Sequence, residues 1–265
     1  SSSLEVAAPS LAGFTGVALL LFWEQLWKRV IVTGASTGIG EQMAYHLARM
    51  GSHILVTART EAKLQKVNGK LSTHTCTCIP AISYSTLMPA PLISGGLDML
   101  ILNHIGKSYF SYFDGDVGHV QKLLQINFLS YVAMTVSALP MLKESEGSIV
   151  VVSSMAGKVG FPLTVPYSAT KFALDGFFSS LRQEFSMQSV NVSITLCVLG
   201  FINTGKISPK EECALEIIKG GALRQREVYY RYASTKIPLL IRDWAADFLD
   251  YLIRKCYNTE NLKKN

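Results

Sequence analysis

The chain has 265 residues, of which 49% are hydrophobic and 17% charged, and its formal net charge is +6. This length most simply accommodates one α/β domain, and the apolar content is enough to bury a substantial core. The positive charges are spread along the chain without a basic run, so they do not indicate nucleic-acid binding. The five cysteines are scattered, which predicts neither a disulfide framework nor a metal site.

Residues 1–27 are predicted to form a tail that contains a short hydrophobic segment. Residues 11–23 (LAGFTGVALLLFW) are apolar throughout but fewer than the ~20 that a spanning helix needs. The segment is typical of a signal-like region, a short anchor or an interfacial helix, and the alternative is a helix packed on the domain. Because so little of it is polar, we favour membrane attachment.

The next stretch reads as strand, glycine-rich turn, helix and strand. Residues 30–33 are a short β-branched run, residues 43–50 have a helical apolar period, and residues 53–58 form a second apolar run. Between the first strand and the helix, Gly34 suits a tight turn, Gly38 a close approach to a phosphate, and Gly40 a helix that starts close to the sheet. The helix N-terminus would then face a pyrophosphate. The pattern predicts a dinucleotide-binding βαβ unit, although the glycine spacing differs from the usual G-x-G-x-x-G.

The end of the second strand indicates which dinucleotide binds. Sites for NAD often place an acid there, whereas this chain has Arg59 and Thr60, with no acid before Glu61. An arginine at that place suits a 2′-phosphate, and the hydroxyls of Ser36 and Thr60 would add donors. We therefore predict NADP, the alternative being an Arg59 side chain that is merely solvated.

The middle of the chain continues the alternation of helices and strands. Residues 61–70 predict a helix and residues 73–80 a third strand, but residues 81–96 have no helical period and barely suffice as a crossover. Residues 97–102 predict a buried strand, and the polar turn after it lies where ligands bind in such sheets. Residues 117–141 predict a long helix containing Asn127, whose amide needs hydrogen bonds if buried.

Ser154, Tyr167 and Lys171 are the candidate catalytic residues. Ser154 follows a predicted strand at residues 148–152, and Tyr167 and Lys171 share one face of a helix running to about residue 185. The lysine charge would favour the phenolate form, so that Tyr167 exchanges a proton near neutral pH while Ser154 holds a substrate oxygen. Alone, such a pair is weak evidence, because tyrosine and lysine four apart also occur as ordinary surface pairs.

The last part of the chain predicts a strand at residues 192–198 and a C-terminal amphipathic helix with a tail at residues 237–265. Between residues 237 and 257 one helical face would carry Trp244, Phe248, Leu249, Leu252 and Ile253. That face would pack on the domain, on a second subunit or on a membrane, in that order of preference. Residues 28–236 form the predicted cofactor-binding domain, and Asn191 begins a glycosylation sequon.

Together, the segment TGASTGIG at residues 33–40, Asn103, Asn127, Ser154 and the segment YSATK at residues 167–171 resemble the short-chain dehydrogenases/reductases. The resemblance covers about residues 28–200. Further segments such as LDMLILNHI, GSIVVVSSMAGKV and EECALEIIKGGALRQ are similar to a steroid-dehydrogenase branch of that family. The resemblance implies a single-domain, Rossmann-type doubly wound parallel sheet and an NADP(H)-dependent exchange of 11-oxo and 11β-hydroxy glucocorticoids such as cortisone and cortisol. It also implies a homodimer attached to the endoplasmic reticulum membrane with a lumenal, glycosylated domain.

The resemblance assigns a role to each candidate residue. Tyr167 is the acid/base on the steroid oxygen, Lys171 makes the phenol more acidic and binds the nicotinamide ribose, and Ser154 orients the carbonyl. Asn127 holds a water that relays protons to Lys171. Ser154 and Tyr167 are thus the substrate-binding pair. The residues predicted to contact the cofactor are Gly34, Ser36, Thr37, Gly38, Ile39, Gly40, Arg59, Thr60, Asn103, His104, Ile105, Tyr167, Lys171, Ile202 and Thr204.

The chain also departs from the family pattern. Thr37 replaces a lysine of the glycine-rich turn, so one phosphate contact is lost, and the segment at residues 59–95 is shorter than in the family. The segment at residues 200–209 is also short, and the loss of a covering loop and helix there predicts an open, wetter cleft and weaker steroid binding. Lys28 and Arg29, which follow the apolar run, favour a cytoplasmic domain, whereas the sequon and the family favour the lumen. The alternative functions are a dehydrogenase of other lipid-like alcohols and a cofactor-binding protein with little turnover. Hydrolysis by Ser154 is a poor alternative, because no G-x-S-x-G turn surrounds it.

Overall fold

The structure, a computed structural model, describes residues 29–71, 76–80, 96–109, 111–200 and 207–256. The strands are β1 (Arg29–Thr33), β2 (His53–Ala58), β3 (Cys76–Pro80), β4 (Met99–Leu102), β5 (Ser148–Ser154), β6 (Ser193–Leu199) and β7 (Glu227–Tyr229). The helices are α1 (Gly38–Arg49), α2 (Glu61–Leu71), α3 (Val117–Leu124), α4 (Ser130–Glu144), α5 (Val165–Met187), α6 (Ile207–Ala222), α7 (Tyr232–Arg242) and α8 (Ala246–Cys256).

The seven strands form one parallel sheet in the order β3-β2-β1-β4-β5-β6-β7. The chain runs outward from β1 to β3, returns to the other side of β1 at β4, and continues outward to β7. The carboxyl ends of β1 and β4 therefore flank the point at which the strand order reverses, where open α/β sheets bind ligands. The prediction of a doubly wound parallel sheet is confirmed.

Both faces of the sheet are covered, as a parallel sheet requires. Alternate residues of each strand point to opposite sides, so Val30 and Val32 join the core beneath α1, α2 and α6, whereas Ile31 joins the core beneath α4 and α5. On each side of the sheet, apolar residues of these helices pack against the strands and complete the core. This packing fixes the strand ends, and hence the loops that follow them, at one edge of the sheet.

The helix predicted at residues 117–141 has a π-helical stretch in its middle. α3 continues through π-helical residues Gln125–Leu129 into α4, which ends at Glu144. Residues 117–144 are the one stretch of helix among the described residues that is long and apolar enough to span a membrane. Its Tyr131, Met134 and Leu142 are nevertheless buried against the sheet, so it is a core helix of the domain. The predicted hydrophobic segment at residues 11–23 lies outside the described residues.

The prediction of one amphipathic helix over residues 237–257 is wrong. The chain forms two helices, α7 and α8, and Trp244 lies in the turn between them with 93% of its surface exposed. The bend allows Leu239 of α7 and Leu249 of α8 to enter the same small core, which Ile253 also contacts. The predicted partners for this helical face were the domain, a second subunit and a membrane. Leu249 and Ile253 pack on the domain.

Arg29, the first residue of β1, is bound to the folded domain through Asp98. Its Nε and Nη2 donate to the two carboxylate oxygens of Asp98, each at 2.9 Å, and its backbone N–H also donates to Asp98. This bidentate pair ties the start of β1 to the residue just before β4. The membrane orientation that Lys28 and Arg29 favour stays a prediction.

Candidate active site

The glycine-rich turn after β1 is shaped by contacts that exclude side chains. Gly34 has a φ of +65°, and a methyl group there would lie 2.8 Å from the Cα of His104. A methyl group on Gly40 would collide with the carbonyl oxygen of Gly34 and lie 2.6 Å from Nδ2 of Asn103. The roles predicted for Gly34, as the tight turn, and for Gly40, as the residue that lets α1 start close to the sheet, match this geometry.

The N-terminus of α1 is open to an anion. Thr37 occupies the N-cap position, but its side chain makes no capping hydrogen bond, and Gly38 has a φ of +67° with open space where a side chain would be. Unpaired N–H groups and the positive end of the helix dipole therefore face this space, which fits a pyrophosphate. Ser36 and Thr37 lie in the turn with part of their surface accessible, whereas Ile39 packs against the core and offers only its backbone.

Asn103 connects the turn to the end of β4. Its Nδ2 donates to the carbonyl oxygens of Thr33 and Gly34 at 3.2 and 3.3 Å, and its backbone N–H donates to Oγ1 of Thr33 at 2.8 Å. These bonds hold the ends of β1 and β4 together beneath the glycine-rich turn. The side chain of Asn103 therefore shapes the floor of the cofactor cleft.

The His104 side chain is buried, so only the backbone of this residue is left for the predicted contact with a cofactor, and that contact stays a prediction. The ring is buried, with Nδ1 2.9 Å from Oγ1 of Thr33 and Nε2 2.7 Å from Oγ of Ser130. Burial, together with the nearby charge of Lys171, lowers the pKa of His104 to about 3. A neutral ring bonded on both sides acts as a structural link between β1, β4 and α4.

Arg59 and Thr60 lie directly after β2, and both are exposed. Nη2 of Arg59 donates to the carbonyl oxygen of Ile105 at 3.3 Å, so the arginine reaches from the end of β2, past the end of β1, to the loop after β4. Ile105 is half exposed and lines a cavity described below. This placement puts a cation at the edge of the cleft where a ribose 2′-substituent would lie.

Lys171 is a buried cation in the middle of the site. It is 1% exposed, its Nζ donates to the carbonyl oxygen of Val152 at 2.9 Å, and the same nitrogen lies 5.6 Å from the centroid of the Tyr167 ring. In the part of the chain that the structure describes, no acidic side chain forms an ion pair with it. Burial therefore lowers the pKa of Lys171 to about 7. A cation so placed is costly to the fold and is typical of a functional site.

Asn127 lies in the π-helical stretch and is fully buried. Its Oδ1 accepts from the backbone N–H of Gly106 at 2.7 Å, and its Nδ2 donates to Oγ1 of Thr170 at 3.2 Å. The Thr170 hydroxyl in turn donates to the carbonyl oxygen of Tyr167 at 2.7 Å. Asn127 thus joins the loop after β4 to the first turn of α5, and the π-helical geometry directs its side chain there. The proposed water relay to Lys171 stays a prediction.

Ser154 and Tyr167 line one cavity of about 730 Å³, together with Ile105. Ser154 is the last residue of β5, and its Oγ accepts from the backbone N–H of Ala156 at 3.2 Å. Most other wall residues are apolar; they include Met155, Val159, Phe161, Pro238, Leu249, Leu252 and Ile253. The cavity has the volume and lining that small-molecule sites commonly have, and its polar wall residues also include Ser108, Thr164, Arg231 and Ser234.

Three residues that position the candidate catalytic groups were not predicted from the sequence. Gly106 and Thr170 bind the Asn127 amide, and a methyl group on Gly157 would lie 2.7 Å from the carbonyl oxygen of Lys171. Thr170 lies within the YSATK segment, so the pattern contained it but gave no sign of its partner.

Ile202 and Thr204, which were predicted to contact the cofactor, lie outside the described residues. Among the described residues, no cluster of three or more potential metal ligands is found.

We expect Gly40→Ala to weaken dinucleotide binding. The added methyl group would displace the turn or α1, and overpacking of this kind costs about 1–3 kcal/mol. If that cost falls on the bound state, Kd rises by roughly 5- to 150-fold. Fluorescence titration with NADPH measures the effect. Gly69→Ala in α2 is the matched control, because its methyl group meets nothing within 4 Å and should leave Kd unchanged. Equal affinities for both variants would contradict the role given to Gly40.

Comparisons with known proteins agree with this architecture. A similar protein, hydroxysteroid 11-beta-dehydrogenase 1-like protein of Gallus gallus, is 50% identical over 247 residues, which cover 83% of this chain and 86% of that protein. The 1-like protein B of Xenopus laevis is 45% identical and covers 89% of both chains. A short-chain dehydrogenase structure from Streptomyces avermitilis matches with a TM-score of 0.70 at 19% identity, covering 89% of this chain and 98% of that one.

The family model for short chain dehydrogenases matches residues 28–212. That range begins just before β1, contains the glycine-rich turn, Asn127, Ser154, Tyr167 and Lys171, and ends within α6. Members of this family are oxidoreductases that use NAD or NADP. With the fold, the site and the relatives in agreement, the chain belongs to the short-chain dehydrogenase/reductase family.

Proposed function

We propose that the protein is an NADP-dependent oxidoreductase that interconverts a steroid ketone and alcohol, with the 11-oxo and 11β-hydroxy glucocorticoids cortisone and cortisol as the pair. The observation that carries this proposal is the buried Lys171 beside Tyr167, together with the largely apolar cavity that Tyr167 and Ser154 line. Two observations support the choice of steroid. The relatives are named hydroxysteroid 11-beta-dehydrogenase 1-like proteins, and segments of the sequence such as LDMLILNHI and GSIVVVSSMAGKV resemble 11β-hydroxysteroid dehydrogenase type 1.

The described residues fit a dinucleotide. The glycine-rich turn and the uncapped N-terminus of α1 suit the pyrophosphate, and Arg59 at the edge of the cleft suits a 2′-phosphate. Lys171 lies beside Tyr167 on α5, and its ammonium group would bind ribose hydroxyls. When bound, the nicotinamide supplies the hydride chemistry, and the protein supplies position and electrostatics.

The chain's own residues handle the proton and the substrate oxygen. In the direction of reduction, the Tyr167 hydroxyl donates its proton to the ketone oxygen, and the Ser154 hydroxyl donates a hydrogen bond to the same atom. The positive charge of Lys171 stabilises the phenolate that remains on Tyr167. The Asn127 amide, through Thr170, holds the first turn of α5 so that Tyr167 keeps its place. Oxidation of the alcohol uses the same groups in reverse.

The cavity favours a bulky apolar substrate. Its volume of about 730 Å³ lies in the range of sites for drug-sized ligands. Its apolar walls would bury the rings of a steroid, while Ser154 and Tyr167 provide polar partners for one ketone or hydroxyl oxygen. Another lipid-like alcohol would also pack against these apolar residues. The assay that tests the proposal therefore includes such substrates.

We expect Arg59→Ala to shift the preference from NADPH towards NADH. The variant loses a cation that would pair with the 2′-phosphate, so KM for NADPH should rise roughly tenfold. KM for NADH should not change, because NADH has a hydroxyl at that position. Lys63→Ala removes another exposed cation, one turn into α2, and is the control. A parallel rise in KM for both cofactors would contradict the assignment of Arg59 to the 2′-phosphate.

The test of the proposed function is NADPH oxidation by purified protein with cortisone as substrate, followed by identification of cortisol. Formation of cortisol supports the proposal. Turnover of other lipid-like ketones but not of cortisone supports the alternative that the protein is a dehydrogenase of other lipid-like alcohols. Tight NADPH binding without turnover of any ketone supports the remaining alternative, a cofactor-binding protein.

We also propose that the protein is a homodimer attached to the endoplasmic reticulum membrane, with its domain in the lumen. Leu129 and Val136 are exposed and seven residues apart, and so are Val165 and Phe172 of α5. Each pair therefore lies on one helical face, suited to an apolar contact with a second subunit. Sedimentation would test the dimer. Glycosidase sensitivity at Asn191 in microsomes, with Asn191→Gln as control, would test the lumenal orientation.

A further inference from the structure

We infer that Lys158 is a positioning residue that couples the loop after Ser154 to the C-terminal helices, and thereby sets the affinity for bulky apolar substrates. This inference rests on the proposed function for its kinetic readout. Lys158 lies four residues after Ser154, between Ala156 and Val159, which both line the cavity. Nothing in its sequence context marked it as part of the site.

Lys158 pairs with two carboxylates from different elements. Its Nζ lies 2.6 Å from Oδ1 of Asp175 in α5 and 2.8 Å from Oε1 of Glu227 in β7. The Lys158 side chain is only 16% exposed. Burial disfavours its charged form, but the ion pair with Asp175 and the hydrogen bond to Glu227 outweigh burial and raise the pKa of Lys158 above its ordinary value. Lys158, Asp175 and Glu227 therefore form a charged cluster, called the hub below, that joins the loop after β5 to α5 and β7.

Hydrogen bonds also connect this hub to α7, through Lys236 and through Arg242. Oε2 of Glu227 accepts from the Tyr229 hydroxyl at 2.7 Å, and Nζ of Lys236 donates to that hydroxyl at 3.2 Å while lying 4.3 Å from the ring centroid. At the other end of the helix, Nη1 of Arg242 donates to the backbone carbonyl oxygen of Lys158 at 2.7 Å. α7 is thus held against the Ser154 loop at two points.

These contacts bridge two walls of the cavity. One wall is the loop with Met155, Ala156 and Val159, and the other comes from α7 and α8 with Pro238, Leu249 and neighbouring residues. Asp175 lies one turn beyond Lys171 on α5. The ion pair between Lys158 and Asp175 therefore also connects the hub to the helix that carries Tyr167 and Lys171. The hub therefore fixes the spacing between the substrate-covering helices and the catalytic loop.

Loss of the Lys158 charge would leave Asp175 and Glu227 without their shared cation. Two partly buried carboxylates that keep their negative charge repel each other, and the cheapest relief is separation of the elements that carry them. That separation would widen the cavity on the side of α7 and α8. The glycine-rich turn lies at the ends of β1 and β4, away from this cluster, so cofactor binding should be spared.

The experiment compares Lys158→Met with Lys158→Arg, using the full chain. For Lys158→Met we expect KM for cortisone to rise at least tenfold, with kcat changed less than threefold and Kd for NADPH unchanged. Lys158→Arg keeps the charge and should restore most of the affinity. Lys219→Met, which removes an exposed lysine of α6, is the control. A fall in kcat and NADPH affinity equal to the rise in KM, or no change in KM, would overturn the inference.

A second readout does not depend on turnover. Hydrogen exchange in residues 232–256 should be at least tenfold faster in Lys158→Met than in the unmodified protein, while exchange in α1 stays the same. Glu227→Gln, which weakens the same hub with less change in shape, should give a smaller effect in the same segment. If the unmodified protein does not reduce cortisone, the proposed function fails, but this exchange pattern still decides the role of Lys158. Unchanged exchange in residues 232–256 would overturn it.

Discussion

Tyr167→Phe should lower kcat for cortisone reduction by about 10²- to 10⁴-fold, the range that a positioned acid or base contributes. The substitution removes one oxygen atom from a residue of the cavity wall and leaves the ring, so the fold and the apolar surface stay intact. Because the glycine-rich turn and Arg59 are untouched, Kd for NADPH should change little. Stopped-flow reduction and fluorescence titration measure the two quantities separately.

The matched control for Tyr167→Phe is Tyr251→Phe in α8, which removes a hydroxyl from an exposed tyrosine. It should retain full activity. If Tyr167→Phe kept more than a tenth of the unmodified rate while Tyr251→Phe behaved normally, another group would have to deliver the proton. The assignment of the acid/base to Tyr167 would then be wrong.

Lys171→Met should abolish most activity and yet stabilise the cofactor-free protein. The ammonium group of Lys171 is buried without a carboxylate partner among the described residues, and burial lowers its pKa from 10.5 to about 7. A shift of this size corresponds to a cost on the order of a few kcal/mol when the charged lysine is buried. A methionine of similar length carries no such cost. Loss of the charge beside Tyr167 should lower kcat by about 10²-fold or more.

The stabilisation should depend on pH in a defined direction. Below about pH 7 the lysine is protonated in both the folded and the unfolded states, so the full burial cost is present. Between about pH 7 and 10.5 only the unfolded state holds the proton, and the stability of the unmodified protein rises with pH. Urea unfolding should therefore show a larger advantage of Lys171→Met at pH 6 than at pH 9. An advantage independent of pH, or a less stable variant at pH 6, would contradict the burial of an unpaired charge.

The sequence was sufficient to predict the first half of the site because local patterns determine it. The β-branched run of β1, the glycines of the turn and the apolar period of α1 each have a local signal, and parallel pairing then places β2 and β4 on either side of β1. Gly34 and Gly40 could be assigned because their backbone roles recur wherever a strand turns tightly into a helix. The closeness of Tyr167 and Lys171 followed from helical spacing alone.

Other features depend on contacts between residues distant in sequence and had no local signal. The pairing of Lys158 with Glu227 joins residues 69 positions apart, and the bonds of Asn127 to Gly106 and Thr170 join three separate elements. His104 lies in the predicted cofactor turn, but its ring points into the core because Thr33 and Ser130 bind it there. The break between α7 and α8 likewise arises from packing, since Leu239 and Leu249 enter one core.

The fold accounts for why the site lies where it does. The reversal of strand order between β1 and β4 opens a crevice, β5 ends in Ser154 beside it, and α5 brings Tyr167 and Lys171 to the same edge. Each candidate group is thus held by the sheet or by a helix packed on it. Groups fixed in this way need little reorganisation during a reaction, which is the main electrostatic advantage of a preformed site.

Reduction of cortisone with NADPH deuterated at C4 of the nicotinamide tests the central claim most directly, with the product analysed by mass spectrometry. The unmodified protein should yield cortisol that carries one deuterium, and Tyr167→Phe should yield almost none while still binding the cofactor. Binding of both NADPH and cortisone without labelled cortisol, or equal labelling by Tyr167→Phe, would contradict hydride transfer assisted by a tyrosine acid in this cavity.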